Sequence, residues 1–313
     1  MKKVVGLLLA SSALIALASC NNNNKTEDDY ELKIVCPSGA PIVSIASAVE
    51  KYEGKLNTEN VGVDASALQG FLTAKENKSD IIIAPINAGV KLYNAGNSTY
   101  KIAAVITWGN TYFASQTAFN ITDIKEKGIT LFGQSTINSA VAEYVLKEMD
   151  GNPEEYTYLA DASKTKNELI NDSSSIVMTA EPMLSIAKTN LTAQGKEVTS
   201  YSVSDLYKQI TTYDMPQAAI FINPDTALSH KGVLDSFLAK IDETDELCNT
   251  APEEVAQAAI DLGLSAPKAV LTKAIPNCKV SYQKASNKVE EIEKLVEVAR
   301  TYFTKKPDSS FYY

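Results

Sequence analysis

Ser185 and Lys188 stand three residues apart, the Ser-x-x-Lys spacing that on a helix sets an amine one turn from a nucleophilic hydroxyl. Acyl transfer is the chemistry such a pair would do. Its companion motifs are absent, and this spacing arises often by accident. His230 is the only histidine, and it lies in Leu228-Ser229-His230-Lys231-Gly232, a loop-like stretch that reads as solvent-exposed rather than catalytic. One histidine and four cysteines are too few soft ligands for a zinc cluster and too few imidazoles for most triads. No metal, cofactor or catalytic residue is expected. Arg300 is the single arginine among 29 basic residues, so recognition of carboxylate, sulfonate or phosphate by paired guanidinium forks is nearly excluded. An anion would have to be met by backbone or lysine donors.

The elements that must position any polar group alternate short apolar runs with helical spacing, the pattern of βαβ units and a parallel sheet, so the fold class is α/β. Leu32 to Cys36 is a strand before Pro37-Ser38-Gly39-Ala40-Pro41, and Ile42, Ile45, Ala46 and Val49 then keep a helical period. Val61 to Asp64 reads as a second strand, Ala67 to Asn77 as a helix, and Asp80 to Ala84 as a buried strand entering a helix at Pro85-Ile86-Asn87. Gly96 is placed to cap that helix, and Tyr100 to Thr107 is a further strand, closed by Trp108-Gly109-Asn110. Thr111 to Thr117 can continue extended. A second series follows: Ile129 to Phe132, the turn Gly133-Gln134-Ser135-Thr136, a helix from Ile137, a strand at Tyr156 to Leu159, a helix around Leu169, a strand at Ile176 to Met178, and a helix opening at Glu181-Pro182. After Pro216 the run Gln217 to Ile222 reads as a strand, followed only by helical patterns. In these, Thr250 and Glu253 have the spacing of a capping box.

The chain has 313 residues, 45% hydrophobic and 21% charged, enough for two cores of about 100 to 150 residues each. A formal charge of -9 without a basic cluster makes nucleic acid an improbable partner. Lys2 and Lys3 precede an apolar run from Val4 to Ala18, the dimensions of a secretion signal and shorter than a membrane-spanning helix. The run ends in Leu17-Ala18-Ser19-Cys20, which resembles the lipobox of bacterial lipoproteins. That resemblance implies cleavage before Cys20, acylation of its thiol, and anchorage to the outer face of the bacterial cytoplasmic membrane or to the periplasmic side. The alternative is an ordinary cleavage site with a chance cysteine. Asn21 to Asp29 lacks aliphatic residues and reads as a tether, so residues 1–19 are signal, 20–30 a lipidated flexible tether, and folding begins near Glu31.

Taken in order, the lipobox, Leu32-Lys33-Ile34-Val35 before a small-residue turn, Asp80 to Asn87 before a helix, Gly128-Ile129-Thr130-Leu131-Phe132 before a polar helix start, and Glu181-Pro182 resemble the type II periplasmic substrate-binding proteins of ATP-binding-cassette (ABC) importers. More narrowly, they resemble the branch serving nitrate, taurine, alkanesulfonates and thiamine precursors. The resemblance implies two α/β lobes joined by a double crossover, with residues 31–118 and 217–313 in lobe one and 119–216 in lobe two. It also implies a small-molecule ligand in the cleft between them, and a permease with its ATPase as partners.

On that fold the strand-to-helix turns line the cleft and offer unpaired helix N–H groups. The candidate ligand-binding residues are therefore Ser38, Gly39, Ala40, Asn87, Trp108, Asn110, Gln134, Ser135, Thr136, Asn138, Glu181 and Gln217. Ser38-Gly39-Ala40 also suits an ordinary cap turn, and Asn87 simple capping. Trp108 could stack on a flat ligand or fill the core. Glu181 could accept from a ligand N–H or serve the dipole of its own helix. Gln217 is a hinge candidate. With so little arginine, this chemistry favours a neutral polar or heteroaromatic ligand. Cys248 and Cys278, 30 residues apart in the carboxyl-terminal helical stretch assigned to lobe one, are expected to form a disulfide, leaving Cys36 as a buried free thiol. The leading reading is a lipid-anchored solute-binding protein without chemistry of its own. The alternatives are a surface lipoprotein acting as adhesin or sensor, and an enzyme on the same scaffold.

Overall fold

The computed structural model describes residues 29–300 and 305–313. The expected signal, the expected lipidation site at Cys20 and the expected tether up to residue 28 lie outside the described residues. Tyr30, read as the end of the tether, is held on the body: its hydroxyl donates to Asp80 Oδ1 at 2.9 Å and its ring stacks on His230 with centroids 3.6 Å apart.

The chain first lays down β1 (Glu31–Pro37), α1 (Ala40–Lys51), β2 (Lys55–Val63), α2 (Leu68–Thr73), β3 (Ile81–Pro85), α3 (Ile86–Asn94) and β4 (Lys101–Thr107). It then builds β5 (Thr111–Ser115), α4 (Ile124–Lys127), β6 (Thr130–Phe132), α5 (Ile137–Glu148), β7 (Thr157–Leu159), α6 (Ala162–Asn171), β8 (Ile176–Ala180), α7 (Met183–Thr192), β9 (Thr199–Ser202) and α8 (Val203–Thr211). The return comprises β10 (Ala218–Ile222), α9 (Pro224–Ser229), α10 (Lys231–Asp245), α11 (Leu247–Thr250), α12 (Pro252–Asp261), α13 (Lys268–Ala274), β11 (Val280–Lys284) and α14 (Val289–Val298).

These strands form two sheets, one ordered β11-β4-β10-β3-β1-β2 and the other β7-β6-β8-β5-β9. The chain crosses to the second sheet between Thr107 and Thr111, ahead of the expected limit near Phe119, and returns just before Ala218. Both sheets are mixed rather than wholly parallel. β1 runs parallel to β2 and β3, and β6 to β7 and β8, as βαβ units require. The two strands that arrive by crossover, β5 and β10, insert antiparallel to their neighbours.

Strand period two places Ile81 and Ile83 in one apolar layer and Ile82 and Ala84 in the other, so the first sheet is covered on both faces. Each such isoleucine contributes about 1.5–3 kcal/mol by leaving water. The layer containing Ile82 and Phe221 is continuous with Phe113, Leu131 and Val141 of the second lobe, so the two sheets share one apolar seam. Asp80, at the foot of β3, is 2% exposed and ties the base of the sheet, accepting from Lys33 N at 2.7 Å and Thr226 Oγ1 at 2.5 Å besides Tyr30.

Several expectations are corrected. β2 begins six residues earlier than Val61, and β9, α8 and β11 were not foreseen. His230 is no exposed loop residue but half-buried under Tyr30, at the junction of α9 and α10. Thr250 and Glu253 make no capping box: Thr250 closes α11 by donating to Glu246 O, Ala251 is the cap, and Pro252 opens α12. The disulfide expected between Cys248 and Cys278 is absent. Both are free thiols in the apolar layer between α1, α10 and α12, where burial as small hydrophobes accounts for their position without a covalent link. Cys36 is buried and free, as expected.

Candidate functional site

Gln217 is the point where the two crossovers meet. Its backbone N–H donates to Thr107 O at 2.9 Å, and its carbonyl accepts from Ile86 N, the first residue of α3, at 3.0 Å. Its carboxamide then faces the other lobe: Oε1 accepts from Asn110 N at 3.2 Å, and Nε2 donates to Asn138 Oδ1, in the first turn of α5, at 2.8 Å. At 8% exposure this side chain has little access to water, so each of these bonds is made in a poorly screened environment. Thr107 supports the junction from below, its hydroxyl accepting from Ala218 N at 3.0 Å.

Asn110 extends the network into the second sheet. Its Nδ2 donates to Glu181 O at 3.2 Å, and its own carbonyl accepts from Glu181 N at 3.0 Å. Glu181 follows β8 and is 3% exposed; burial pushes its carboxyl up, opposed by the Ser185 hydroxyl and amide and by the Lys188 charge. Those Ser185 bonds, from N to Oε2 at 3.1 Å and from Oγ to Oε1 at 3.0 Å, make Glu181 the acceptor for the first turn of α7. Lys188 Nζ meanwhile donates to Ser200 Oγ at 2.9 Å, so Ser185 and Lys188 each have another partner and form no nucleophile–base pair with one another.

Asn87 follows Ile86 at the same junction. Its Oδ1 is buried without a hydrogen-bond partner among the described residues, as is Thr111 Oγ1 at the start of β5. Buried acceptors of this kind cost about 1–3 kcal/mol unless a donor reaches them.

The remaining candidates are more peripheral. Thr136 caps α5, accepting from Ser139 N, while Gln134 and Ser135 are exposed in a turn where Ser135 takes φ 63°. Ser38 is exposed and donates its N–H to Val63 O at 3.1 Å; Gly39 takes φ 105°, a conformation that favours glycine; Ala40 is buried at the start of α1. Trp108 turns to the β11 side, where Nε1 donates to Ser281 O at 2.9 Å and Lys288 Nζ lies 5.5 Å from the ring centroid. It lines a shallow concavity of about 350 Å³ with Asp214 and Lys279, away from Gln217 and Asn138.

Structure thus gathers Asn110, Asn138, Glu181 and Gln217, with Asn87 one residue beyond the Ile86 amide that bonds Gln217, and leaves Trp108 on a neighbouring wall. Thr107 and Thr111 escaped the sequence reading. Thr107 was findable as the last residue of a strand at a topological switch point, where α/β folds place their ligands; nothing in the sequence singled out Thr111.

No family model matches the chain, and no curated protein matches it by sequence. Among solved structures it is similar to an ABC transporter protein from Parabacteroides distasonis, at 19% identity, covering 91% of this chain and 99% of that one with a TM-score of 0.72. It is also similar to the periplasmic aliphatic sulphonate binding protein of Escherichia coli, at 14% identity over 90% of this chain and 92% of that one, TM-score 0.65. The periplasmic nitrate-binding protein of Synechocystis PCC 6803 is similar at 10% identity over 91% and 84%, TM-score 0.62. At these identities the likeness establishes the fold: two α/β lobes joined by a double crossover.

Proposed function

We propose that this protein is the solute-binding component of an ABC importer, anchored outside the cytoplasmic membrane through a lipid on Cys20, which captures a small molecule between its lobes and presents it to a permease. The observation that carries this reading is the meeting at Gln217 of the Asn110 backbone amide from the crossover and the Asn138 side chain from the second lobe, in a two-lobed fold shared with proteins named for binding sulphonate and nitrate. The candidate ligand surface is Asn87, Asn110, Asn138, Glu181 and Gln217, with the entrances Ser38 to Ala40 and Gln134 to Thr136 at its margins.

The gathered groups are carboxamides, hydroxyls and one buried carboxyl, with no arginine. They suit a neutral polar or heteroaromatic solute that brings N–H or O–H donors, one of them to the unpartnered Asn87 Oδ1. Recognition of this kind is binding without bond making, in keeping with the separate partners of Ser185 and Lys188.

A thermal-shift screen against nitrate, sulfonates, pyrimidines, flavins and amino acids tests the reading. A ligand at 100 times its dissociation constant adds about 2.7 kcal/mol to native stability. A hit that vanishes in Asn138→Ala supports it; stabilisation by none of these classes, or a hit indifferent to Asn138 and Gln217, overturns the assigned surface. The anchor is tested separately by Cys20→Ser, which should release the protein from the membrane fraction.

A further inference from the structure

Lys279 lies just ahead of β11, in a left-handed turn at φ 50°, and its carbonyl accepts from Trp108 N at 3.0 Å where the outgoing crossover begins. Its backbone therefore belongs to the first lobe. Its side chain belongs to the second: Nζ donates to Ser202 Oγ at 3.0 Å and to Ser204 Oγ at 2.9 Å, and pairs with Asp205 at the start of α8. Ser204 Oγ passes the link on to Gly109 O at 3.0 Å, inside the crossover itself. Gly109 has φ 83°, and a Cβ there would stand 2.5 Å from Ser204 Cβ, so the crossover and α8 approach each other as closely as a backbone allows.

We propose that Lys279 is a positioning residue that braces the hinge and sets the angle between the lobes. A surface lysine pairing within one element does nothing of this kind; Lys279 joins three segments remote in sequence, and two hydroxyls orient its ammonium besides the carboxylate. The ammonium side chain is 27% exposed and Asp205 64%, so salt reaches the pair and weakens it. The balance between lobe arrangements is therefore sensitive to ionic strength through this contact, since a two-state equilibrium shifts with any interaction that one state makes and the other lacks. Trp108, the only tryptophan, sits against the same turn and reports on it. The proposal rests on the two-lobed fold and not on any ligand.

Small-angle X-ray scattering of the protein and of Lys279→Ala, Lys279→Arg, Asp205→Ala and the double alanine variant, at low and high sodium chloride, tests it. The expected result is a larger radius of gyration in Lys279→Ala and in Asp205→Ala than in the parent at low salt. The double variant should go no further than either single one, and Lys279→Arg should restore most of the difference. High salt should expand the parent and leave Lys279→Ala unchanged, with acrylamide quenching of Trp108 rising in parallel. A folded Lys279→Ala with the parent's radius and salt response overturns the brace, as do additive effects of the two alanines. Should Lys279→Ala fail to fold, Asp205→Ala, whose side chain is largely in water, decides the question alone. No ligand is needed, so this outcome stands apart from that of the solute screen.

Discussion

Gln217 Nε2 donates to Asn138 Oδ1 across 2.8 Å, linking the segment that returns to the first lobe with the opening turn of α5 in the second. Seventy-nine positions separate the two residues, and their contact exists only because the double crossover brings both sheets to one place.

Removing either partner should therefore affect stability and binding together. Gln217→Ala leaves Asn138 Oδ1 and the Asn110 amide without their partners and is expected to destabilise by about 1–3 kcal/mol in urea denaturation. Asn138→Ala should cost less, because Gln217 keeps its bond to Asn110. Equal stability of both variants and the parent would remove Gln217 from the junction.

Glu181 should give the protein a specific pH response. Its folded carboxyl is raised above its ordinary 4.5 by burial, so the contribution it makes is fully present below that value and is lost as pH rises through the raised one. Melting temperature measured from acid to neutral pH should fall more steeply, or rise less, in the parent than in Glu181→Gln across that window. Parallel curves would mean that Glu181 titrates normally.

The three buried cysteines should be silent in the native state. Burial pushes the Cys248 thiol up to about 12 and raises the Cys36 and Cys278 thiols well above the ordinary thiol range. Ellman's reagent should meet none of them until denaturant is added, and then all three. A Cys248–Cys278 bridged peptide in a non-reducing map would contradict the free thiols described above.

Asp80→Ala should be among the most destabilising single changes. It strips partners from Tyr30, Lys33 N and Thr226 at once, in a site 2% exposed, and a loss of about 3 kcal/mol or more is expected. Tyr30→Phe removes one of these bonds and should cost about 1 kcal/mol. Denaturation curves that place Asp80→Ala within half a kilocalorie of the parent would show the cluster to be dispensable.

What could be read in the sequence follows burial. β3 announces itself as an unbroken apolar run ended by Pro85, and Gly96 marks the end of α3, because central strands and helix ends leave strong local signatures. β9 and β11 did not, nor did the first six residues of β2. All three strands lie at sheet edges, where one side faces water and polar sequences such as Thr199–Ser202 and Val280–Lys284 suffice. Missing β11 also hid the fate of Trp108, whose indole N–H is taken by Ser281 of that strand.

The sequence by itself determined the α/β class, the succession of polar turns, and which carboxamides and carboxyl stand at strand ends, since each of these is written in patterns a few residues long. Only the tertiary structure decided that β5 and β10 run antiparallel, that Asn110, Asn138, Glu181 and Gln217 meet while Trp108 turns aside, and that Cys248 and Cys278 remain separate thiols. Those outcomes depend on contacts between residues tens of positions apart, whose geometry is set by the packing of two whole lobes against a shared seam and leaves no trace in local spacing.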